Sequence, residues 1–266
     1  MSRSELAGGN QSTERFQGAV VHIAKSNLLE PTSNTLGGLT MRAAVVTAAG
    51  GAWEMQSVPQ PEPGPNQVLV KMHASGICYT DVHETLGHLP GKFPRILGHE
   101  PVGEVVAIGA GVTSRKVGDR VGVAWVQWTC GRCEWCFRGR KNFCPQQKAT
   151  AIELQGGHAE FMPIYADATM LIPDGVSYEQ AAPIFCAGYT VWSGLRWANP
   201  KPHERIAVVG IGGLGHLAVQ YAKAAGFTTI AVSHSPDKDK MIRELGADEI
   251  VRDGKGLQPQ AARTSS

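Results

Sequence analysis

The stretch RIAVVGIGGLGHLAVQYAKAAG, residues 205–226, predicts a strand, a tight glycine turn and a helix in direct succession. The apolar run RIAVVG is typical of a strand buried on both faces of a parallel sheet. In the helix that follows, apolar residues recur at helical spacing, and Gly226 stands where a C-terminal cap belongs. The strand TTIAV, the helix SPDKDKMIREL with Ser235 as its N-cap, and the strand EIV continue the pattern. The sequence therefore predicts a β-α-β-α-β unit.

The turn GIGGLG, residues 210–215, predicts a dinucleotide-binding site. A lone G-x-G-x-x-G is a weak signal, but this one follows a strand and opens a helix. In such a turn, the first glycine permits the tight bend, the second lets the backbone approach a pyrophosphate, and the third lets helix and strand pack closely. A purely structural turn is the alternative. The residues predicted to contact the cofactor here are Gly210, Gly212, Gly213, Leu214 and Gly215.

The end of the second strand bears on the choice of cofactor. NAD-binding enzymes of this fold hold the adenine ribose with a carboxylate at that point, about 20 residues beyond the glycine turn. Here TTIAV ends at Val232 and is followed by Ser233 and His234, with Lys238 close behind. These side chains can donate to a 2′-phosphate, so we predict NADP(H) over NAD(H).

Four cysteines lie within CGRCEWCFRGRKNFC, residues 130–144, in the pattern C-x2-C-x2-C-x7-C. Such short links let four thiolates surround one tetrahedral zinc ion, and a closed shell of this kind is structural. A redox pair, an iron–sulfur cluster and unrelated free cysteines are the alternatives. The predicted ligands are Cys130, Cys133, Cys136 and Cys144.

Two further cysteines, Cys78 and Cys186, are separated from this group. His99 stands beside Glu100 in ILGHEPVGEVVAIG, ahead of a predicted strand. Two cysteines and a histidine from three loops can hold a zinc ion and leave one position open, as catalysis requires. A buried structural histidine is the alternative.

Composition excludes several classes of protein. The 266 residues carry a formal net charge of +2, without the excess of base that nucleic-acid binding favours. No stretch approaches the roughly 18 apolar residues of a membrane span. The N-terminus lacks the apolar core of a secretory signal. We therefore expect a cytoplasmic protein with reduced thiols and with neither nucleic acid nor membrane as a partner.

The chain divides into three predicted regions. Residues 1–40 are rich in Ser, Gly, Asn and Thr and predict a disordered extension. Residues 41–186 contain short strands such as QVLVKMHA and predict a β-rich domain, with a cysteine-rich lobe at 128–146. Residues 187–266 hold the glycine turn. The predicted fold class is thus α/β plus β, with a β-rich domain followed by a partial, doubly wound parallel sheet.

Several motifs occur in an order that resembles the zinc-dependent medium-chain alcohol dehydrogenases, closest to their bacterial and yeast-like branch. The motifs are GICYTDVH, GHEPVGEVVAIG, VGDRVGV, the four-cysteine lobe, PIFCAGYTVW and GIGGLGHLAVQYAK, and the similarity covers about residues 41–252. The resemblance implies a GroES-like catalytic domain joined to a Rossmann domain. It also implies two zinc ions per chain, one catalytic and one structural, and a small alcohol or aldehyde substrate. In the family the cysteine lobe stands near subunit contacts, so a homo-oligomer is expected.

The resemblance also implies roles for individual residues. Cys78, His99 and Cys186 correspond to the catalytic zinc ligands, and Glu100 corresponds to a carboxylate that can approach the metal. Asp81 matches the residue that orients the ligand histidine. Thr80 and His83 correspond to a proton relay, and Thr190 corresponds to a residue beside the nicotinamide. Trp125 corresponds to a residue that lines the substrate pocket, and core packing is the alternative for Trp125. In the implied reaction, zinc lowers the pKa of the alcohol and a hydride passes to the cofactor.

The resemblance ends with the first half of the Rossmann domain, and the last 14 residues turn polar. A doubly wound dinucleotide domain usually has two such halves. We therefore expect a C-terminally truncated chain, and two functions stand side by side: an active alcohol dehydrogenase, and an inactive zinc-binding remnant of one. A zinc-binding interaction module is a third idea, but it leaves GIGGLG unexplained.

Overall fold

The computed structural model of the chain describes residues 20–22 and 38–252. The chain divides into two units: the first ends at Cys186 and the second begins at Ala187. No helix among the described residues is long and apolar enough to cross a membrane.

The first unit consists mainly of short strands. Its strands are β1 (Val20–His22), β2 (Thr40–Val46), β3 (Trp53–Pro59), β4 (Gln67–Gly76), β5 (Arg95–Ile96), β6 (Glu100–Ile108), β7 (Arg120–Val123), β8 (Val126–Trp128), β9 (Lys148–Ala149), β10 (Phe161–Tyr165) and β11 (Thr169–Leu171). Its α-helices are α1 (Tyr79–Thr85), α2 (Glu134–Phe137) and α3 (Tyr178–Ala181), and 3-10 helices occupy Lys141–Phe143, Ala166–Ala168 and Ala182–Phe185.

Antiparallel pairing joins the strands of this unit into three sheets. The largest has six strands, in the order β1-β4-β6-β7-β11, with β10 also paired to β4. The others are β3-β2-β5 and β8-β9. Strand β4 lies inside the largest sheet, paired with β1, β6 and β10. Its residues Val68, Val70 and Met72 point into one apolar core, as their alternation predicts. Its end at Gly76 pairs with Glu100 at the start of β6, and this pairing positions the site described below.

A second core cluster holds the end of this unit against the large sheet. Phe185 packs there with Ala74 and Val102. A Cβ at Gly122 would lie 2.3 Å from the Phe185 ring, so only glycine at that position lets the ring close on the strand. Phe185 precedes Cys186, so this packing also fixes the chain next to one predicted ligand.

Strand β1 lies inside the segment that we expected to be an extension. Val20–His22 pair antiparallel with Ala74–Gly76 of β4. A short segment within a polar stretch can still pair with a strand whose edge has free hydrogen-bonding groups. Residues 1–19 and 23–37 of the predicted extension lie outside the described residues, as do residues 253–266.

The second unit contains the predicted β-α-β-α-β order. Its elements are α4 (Ala187–Ala198), β12 (Arg205–Val209), α5 (Gly215–Ala224), β13 (Thr228–Val232), α6 (Asp239–Glu244) and β14 (Glu249–Val251). The three strands are parallel, in the order β12-β13-β14. Val208, Val219, Ala231 and Ile242 form its core. Gly226 has a positive φ of 89°, as a glycine that ends a helix requires.

Two local predictions in this unit were wrong. RIAVVG is not buried on both faces among the described residues: Val208 is buried, but Val209 is 74% exposed and Ala207 is exposed too. Alternate side chains point to opposite faces of a strand, and only one face is covered here. Ser235 precedes a 3-10 turn, Pro236–Lys238, and its side chain makes no capping hydrogen bond. The α-helix proper begins at Asp239.

Candidate metal and dinucleotide sites

The first predicted ligand, Cys78, is held by the start of helix α1. Cys78 is the N-cap residue, and its N–H donates to Oδ2 of Asp81 at 2.8 Å. This is the reach-back hydrogen bond of a capping box, in which an acidic side chain satisfies a free donor at the helix start. Asp81 thereby fixes both the entry of the helix and the position of the thiol before it.

The second predicted ligand, His99, comes from the turn that leads into β6. Gly98 donates its N–H to Oδ1 of Asp81 at 3.1 Å, and its positive φ of 96° favours glycine. Nδ1 of His99 lies 3.6 Å from the same Asp81 oxygen, with both side chains almost fully buried. Glycine is also needed at Gly76, because a Cβ there would lie 1.9 Å from Oε2 of Glu100.

Cys186 completes the cluster from the end of a 3-10 helix. Its Sγ lies 3.9 Å from Sγ of Cys78, although the two residues are 108 positions apart. One donor atom from each of Cys78, His99, Glu100 and Cys186 lies within 4.8 Å of every other. The structure therefore brings together all four residues that the sequence analysis placed at this site.

The charges at this cluster are strongly coupled. The thiol of Cys186 lowers the pKa of Cys78 to about 3, and the same contact raises the pKa of Cys186. Burial acts to lower the pKa of His99, but the neighbouring Asp81 carboxylate and Cys78 thiol raise it to about 10. Burial raises the pKa of Glu100 to about 7. Such shifts are typical of functional sites, because burial and neighbouring charges are concentrated there.

This donor set fits a zinc ion. Two sulfurs and one imidazole are ligands that zinc prefers, and a third kind of donor, the Glu100 carboxylate, is within reach. Nδ1 of His99 lies 3.6 Å from Oδ1 of Asp81, and neither buried ring nitrogen has a hydrogen-bond partner among the described residues. Buried polar atoms are normally paired, so an orphaned nitrogen beside two thiols indicates a missing ligand.

The predicted relay and pocket residues lie around this cluster. Oγ1 of Thr80 lies 3.5 Å from Sγ of Cys78. His83 is exposed on the same face of α1, three residues further on. The Trp125 ring meets the His99 ring edge to face, with centroids 5.4 Å apart, and it is half-buried.

The four cysteines of the lobe also converge. Sulfur–sulfur distances are 3.6 Å for Cys133–Cys136 and Cys130–Cys144, and 3.9 Å for Cys130–Cys136. All four sulfurs lie within 4.8 Å of one another, and no disulfide joins them. The backbone N–H of Arg132 lowers the pKa of Cys130 to about 6. This geometry fits a tetrahedral metal ion.

The glycine turn of the second unit has the shape expected for an anion site. Gly210 has a positive φ of 83°, and its N–H donates to the Val232 carbonyl. A Cβ at Gly215 would lie 1.9 Å from the Gly210 carbonyl oxygen, whereas a Cβ at Gly212 would meet nothing within 4 Å. Gly215 is therefore required by packing, while Gly212 and Leu214 are exposed and leave the surface of the turn open.

The residues predicted to contact the cofactor beyond the glycine turn lie in different environments. Ser233 is buried, and its Oγ accepts the N–H of Ser235 at 3.3 Å. Lys238 donates to the Ile211 carbonyl of the glycine turn at 3.3 Å, and His234 is exposed. Thr190 is exposed on α4.

Two buried polar residues near the cluster were missed by the sequence analysis. Nε2 of His158 lies 3.7 Å from Oδ1 of Asp81, and its ring packs on Trp53. Glu84 is fully buried, and burial raises its pKa to about 7. Neither residue lies in a recognisable motif. For Glu84 the only signal was its place one turn beyond Thr80 and Asp81 on the same short helix.

Comparison with known proteins agrees with this arrangement. The family described as alcohol dehydrogenase GroES-like domain matches residues 64–174, and the zinc-binding dehydrogenase family matches residues 213–264. An alcohol dehydrogenase of Geobacillus stearothermophilus is 44% identical over 213 residues, which are 79% of this chain and 63% of the relative. The chain thus spans less than two thirds of the length of this curated relative.

Solved structures show the same similarity. A cobalt- and zinc-bound thermostable alcohol dehydrogenase from Pyrobaculum aerophilum matches with a TM-score of 0.75 and 29% identity, covering 80% of this chain and 66% of that one. A CAD from Helicobacter pylori complexed with NADP(H) matches with a TM-score of 0.74 and 25% identity, covering 80% and 64%.

Fold and sequence similarity together define a GroES-like domain followed along the chain by a Rossmann-like domain, so the predicted fold class is confirmed. The chain belongs to the zinc-dependent medium-chain alcohol dehydrogenase family.

Proposed function

We propose that this chain interconverts an alcohol and its aldehyde or ketone by hydride transfer to or from NADP(H). The observation that carries the proposal is the convergence of Cys78, His99 and Cys186 from three separate segments beside Asp81. Because the chain spans 63% of the length of its curated relative, turnover by this chain is itself part of the proposal.

The catalytic zinc would be held by Cys78, His99 and Cys186. Bound there, zinc supplies Lewis acidity that lowers the pKa of an alcohol hydroxyl. Asp81 orients His99 and fixes the backbone on both sides of the site, through Cys78 and Gly98. Glu100 lies close enough to act as an alternative donor in some states of the site.

The proton of the alcohol would leave through Thr80 and then His83. Thr80 Oγ1 is close to the sulfur of Cys78, so a hydroxyl group at the cluster is within its reach. His83 lies on the same helical face and is exposed, so it can exchange a proton with solvent. Trp125 would provide an apolar wall beside His99, and Thr190 would contact the nicotinamide ring.

A second zinc would be held by the cysteine lobe. Four sulfur ligands leave no open position, so this ion stabilises the lobe and takes no part in the reaction. In this proposal the lobe also lies near the contact between subunits of a homo-oligomer. The absence of disulfides among the six cysteines is compatible with the cytoplasmic location that the sequence predicts.

The preference for NADP(H) rests on the residues after β13. Ser233 stands where NAD enzymes of this fold place a carboxylate, and the nearby cation Lys238 can approach a 2′-phosphate. Two solved relatives were obtained with NADP or NADP(H), and two others with NAD or NADH. The proposal therefore depends on this chain's own residues.

The first experiment is the zinc content of the purified chain, measured by elemental analysis after treatment with a chelator and reloading. We expect two zinc ions per chain, one in Cys78→Ser and one in Cys144→Ser. One zinc ion in the wild type, unchanged by Cys78→Ser, would mean that the catalytic site does not form. The chain would then be better described as an inactive zinc-binding remnant.

The second experiment follows nicotinamide absorbance with the zinc-loaded chain, a series of primary and secondary alcohols, and each cofactor. Alcohol-dependent reduction of NADP⁺ that disappears in Cys78→Ser supports the proposal. Two bound zinc ions without any turnover would contradict the activity while leaving the metal sites in place. Binding of NAD(H) at least tenfold tighter than NADP(H) would contradict the cofactor preference.

A further inference from the structure

We propose that His88 is a positioning residue for His83: it orients the His83 ring, selects its tautomer and passes its proton to solvent. The inference rests on the proposed function, since it extends the relay that begins at Thr80. His88 lies five residues beyond His83, outside the motifs that carry the family resemblance.

The geometry places the two rings nitrogen to nitrogen. Nδ1 of His83 and Nδ1 of His88 are 3.3 Å apart, and the ring centroids are 5.6 Å apart. The N–H of His88 also donates to the carbonyl of His83 at 2.9 Å, which holds the turn after α1 in this shape. The backbone therefore fixes the second ring beside the first.

A third side chain limits the freedom of the His83 ring. Tyr79, at the first position of α1, meets that ring edge to face at an interplanar angle of 83° and a centroid distance of 4.9 Å. His83 is thus contacted by Tyr79 and also by His88. Rotating its ring by half a turn would break the contact between the two Nδ1 atoms.

The contact constrains the protonation of both rings. A neutral imidazole carries one N–H and one lone pair, so two facing Nδ1 atoms form a hydrogen bond only when one is a donor and the other an acceptor. Nε2 of His83 is then free for the inner part of the relay, and Nε2 of His88 is free for water. Both side chains are exposed.

Proton transfer through this pair is balanced. At the start, His83 carries its proton on Nδ1 and His88 carries its proton on Nε2. A proton arriving at Nε2 of His83 allows the Nδ1 proton of His83 to move to Nδ1 of His88. The Nε2 proton of His88 then passes to water. One proton enters and one leaves, and exchange with water restores the original tautomers.

The direct test is the tautomer of each histidine in the zinc-loaded full chain, measured through long-range ¹⁵N–¹H couplings at a pH where both rings are neutral. We expect complementary tautomers, with His83 protonated on Nδ1 and His88 on Nε2. In His88→Ala, His83 should shift toward the Nε2–H form. Leu86→Ala, at an exposed position in the same turn, should leave His83 unchanged. The Nε2–H tautomer on both rings of the wild type would overturn the proposal.

The kinetic test compares His88→Ala with the wild type in alcohol oxidation in a weakly buffered solution. We expect kcat to fall about 3–10-fold with little change in KM, since the terminal step of a relay contributes less than the roughly 100-fold of a direct general base. Added imidazole should restore kcat in His88→Ala, whereas a merely structural loss would not respond. Unchanged kcat, or a loss that imidazole does not repair, would overturn the relay role.

The two tests separate this inference from the proposed function. A wild-type chain without turnover would contradict the activity, and the tautomer measurement would still decide whether His88 selects the state of His83. Turnover in a chain whose His83 and His88 do not have complementary tautomers would support the activity and overturn the inference.

Discussion

Oδ1 of Asp81 lies 3.6 Å from Nδ1 of His99, and neither side chain is more than 1% exposed. The same carboxylate accepts N–H donors from Cys78 and Gly98, on the two sides of the cluster. One buried side chain thus connects the helix that carries one ligand to the turn that carries another. Its removal should affect the site more than the rest of the fold.

Asp81→Asn is expected to weaken zinc binding at the Cys78 site about 10–100-fold, the usual cost of losing a residue that orients a metal ligand. Both carboxylate oxygens accept backbone N–H groups, so the amide NH2 of asparagine must face a donor. Zinc affinity is measured by competition with a chromogenic chelator. Asp167→Asn, at an exposed position, is the matched control. Equal zinc affinities for the two variants would contradict this role of Asp81.

The glycines of the turn should separate a packing role from a binding role. Gly215→Ala places a Cβ against the Gly210 carbonyl, so the free energy of unfolding should fall by about 1–3 kcal/mol. Gly212→Ala meets nothing in the protein and should leave that free energy within about 0.5 kcal/mol. It should nevertheless weaken NADPH binding, because the backbone at this point has to approach the pyrophosphate.

Urea unfolding and NADPH fluorescence titration measure the two effects. A Gly212→Ala chain that binds NADPH as tightly as the wild type would show that the cofactor does not lie on this turn.

Lys238→Ala is expected to weaken NADPH binding about tenfold, the loss of one hydrogen bond to a charged group, and to change NADH binding much less. Lys240→Ala is the matched control, because Lys240 is exposed two residues further along. Dissociation constants for both cofactors are compared for the three chains. An equal loss of affinity for NADPH and NADH would contradict a contact between Lys238 and the 2′-phosphate.

Glu84→Gln should stabilise the protein at neutral pH. Burial, reinforced by the charge of Asp81, raises the pKa of Glu84 to about 7, from about 4.3 in an unfolded chain. The native state therefore binds more protons between these values, and stability falls as pH rises through that window. Glutamine does not titrate, so the variant should gain on the order of 1 kcal/mol over the wild type between pH 5 and pH 8.

Chemical denaturation at several pH values measures this difference. Glu62→Gln, at an exposed position of the same unit, is the matched control. A constant difference between Glu84→Gln and wild type across that range would show that Glu84 titrates normally.

The elements of the second unit could be predicted from the sequence because their signals are local. A glycine turn between an apolar run and a 3.6-residue periodicity depends on neighbours within a few residues. The four lobe cysteines are equally local, since short links alone bring their sulfurs together. Helix α4 was not predicted, and the start of α6 was placed too early, because a proline-initiated 3-10 turn and an α-helix begin with the same residue types.

The cluster of Cys78, His99 and Cys186 is different in kind. Spacing along the chain left a buried structural histidine as an alternative to a zinc ligand. The resemblance to a known family then identified the three ligands. Its geometry depends on the pairing of Gly76 with Glu100 and on the packing of Phe185, contacts between residues far apart in sequence. No local pattern determines such contacts.

The sequence by itself determined the class of fold, the glycine turn and the four-sulfur lobe, because each depends on short-range geometry and residue type. Only the tertiary structure decided that Asp81 also accepts the backbone N–H groups of Cys78 and Gly98, that Glu84 and His158 are buried near it, and that His88 meets His83. It also decided that Val209 is exposed on a strand whose composition predicted burial. Burial and convergence are properties of the packed chain, since they depend on which distant segments cover each other.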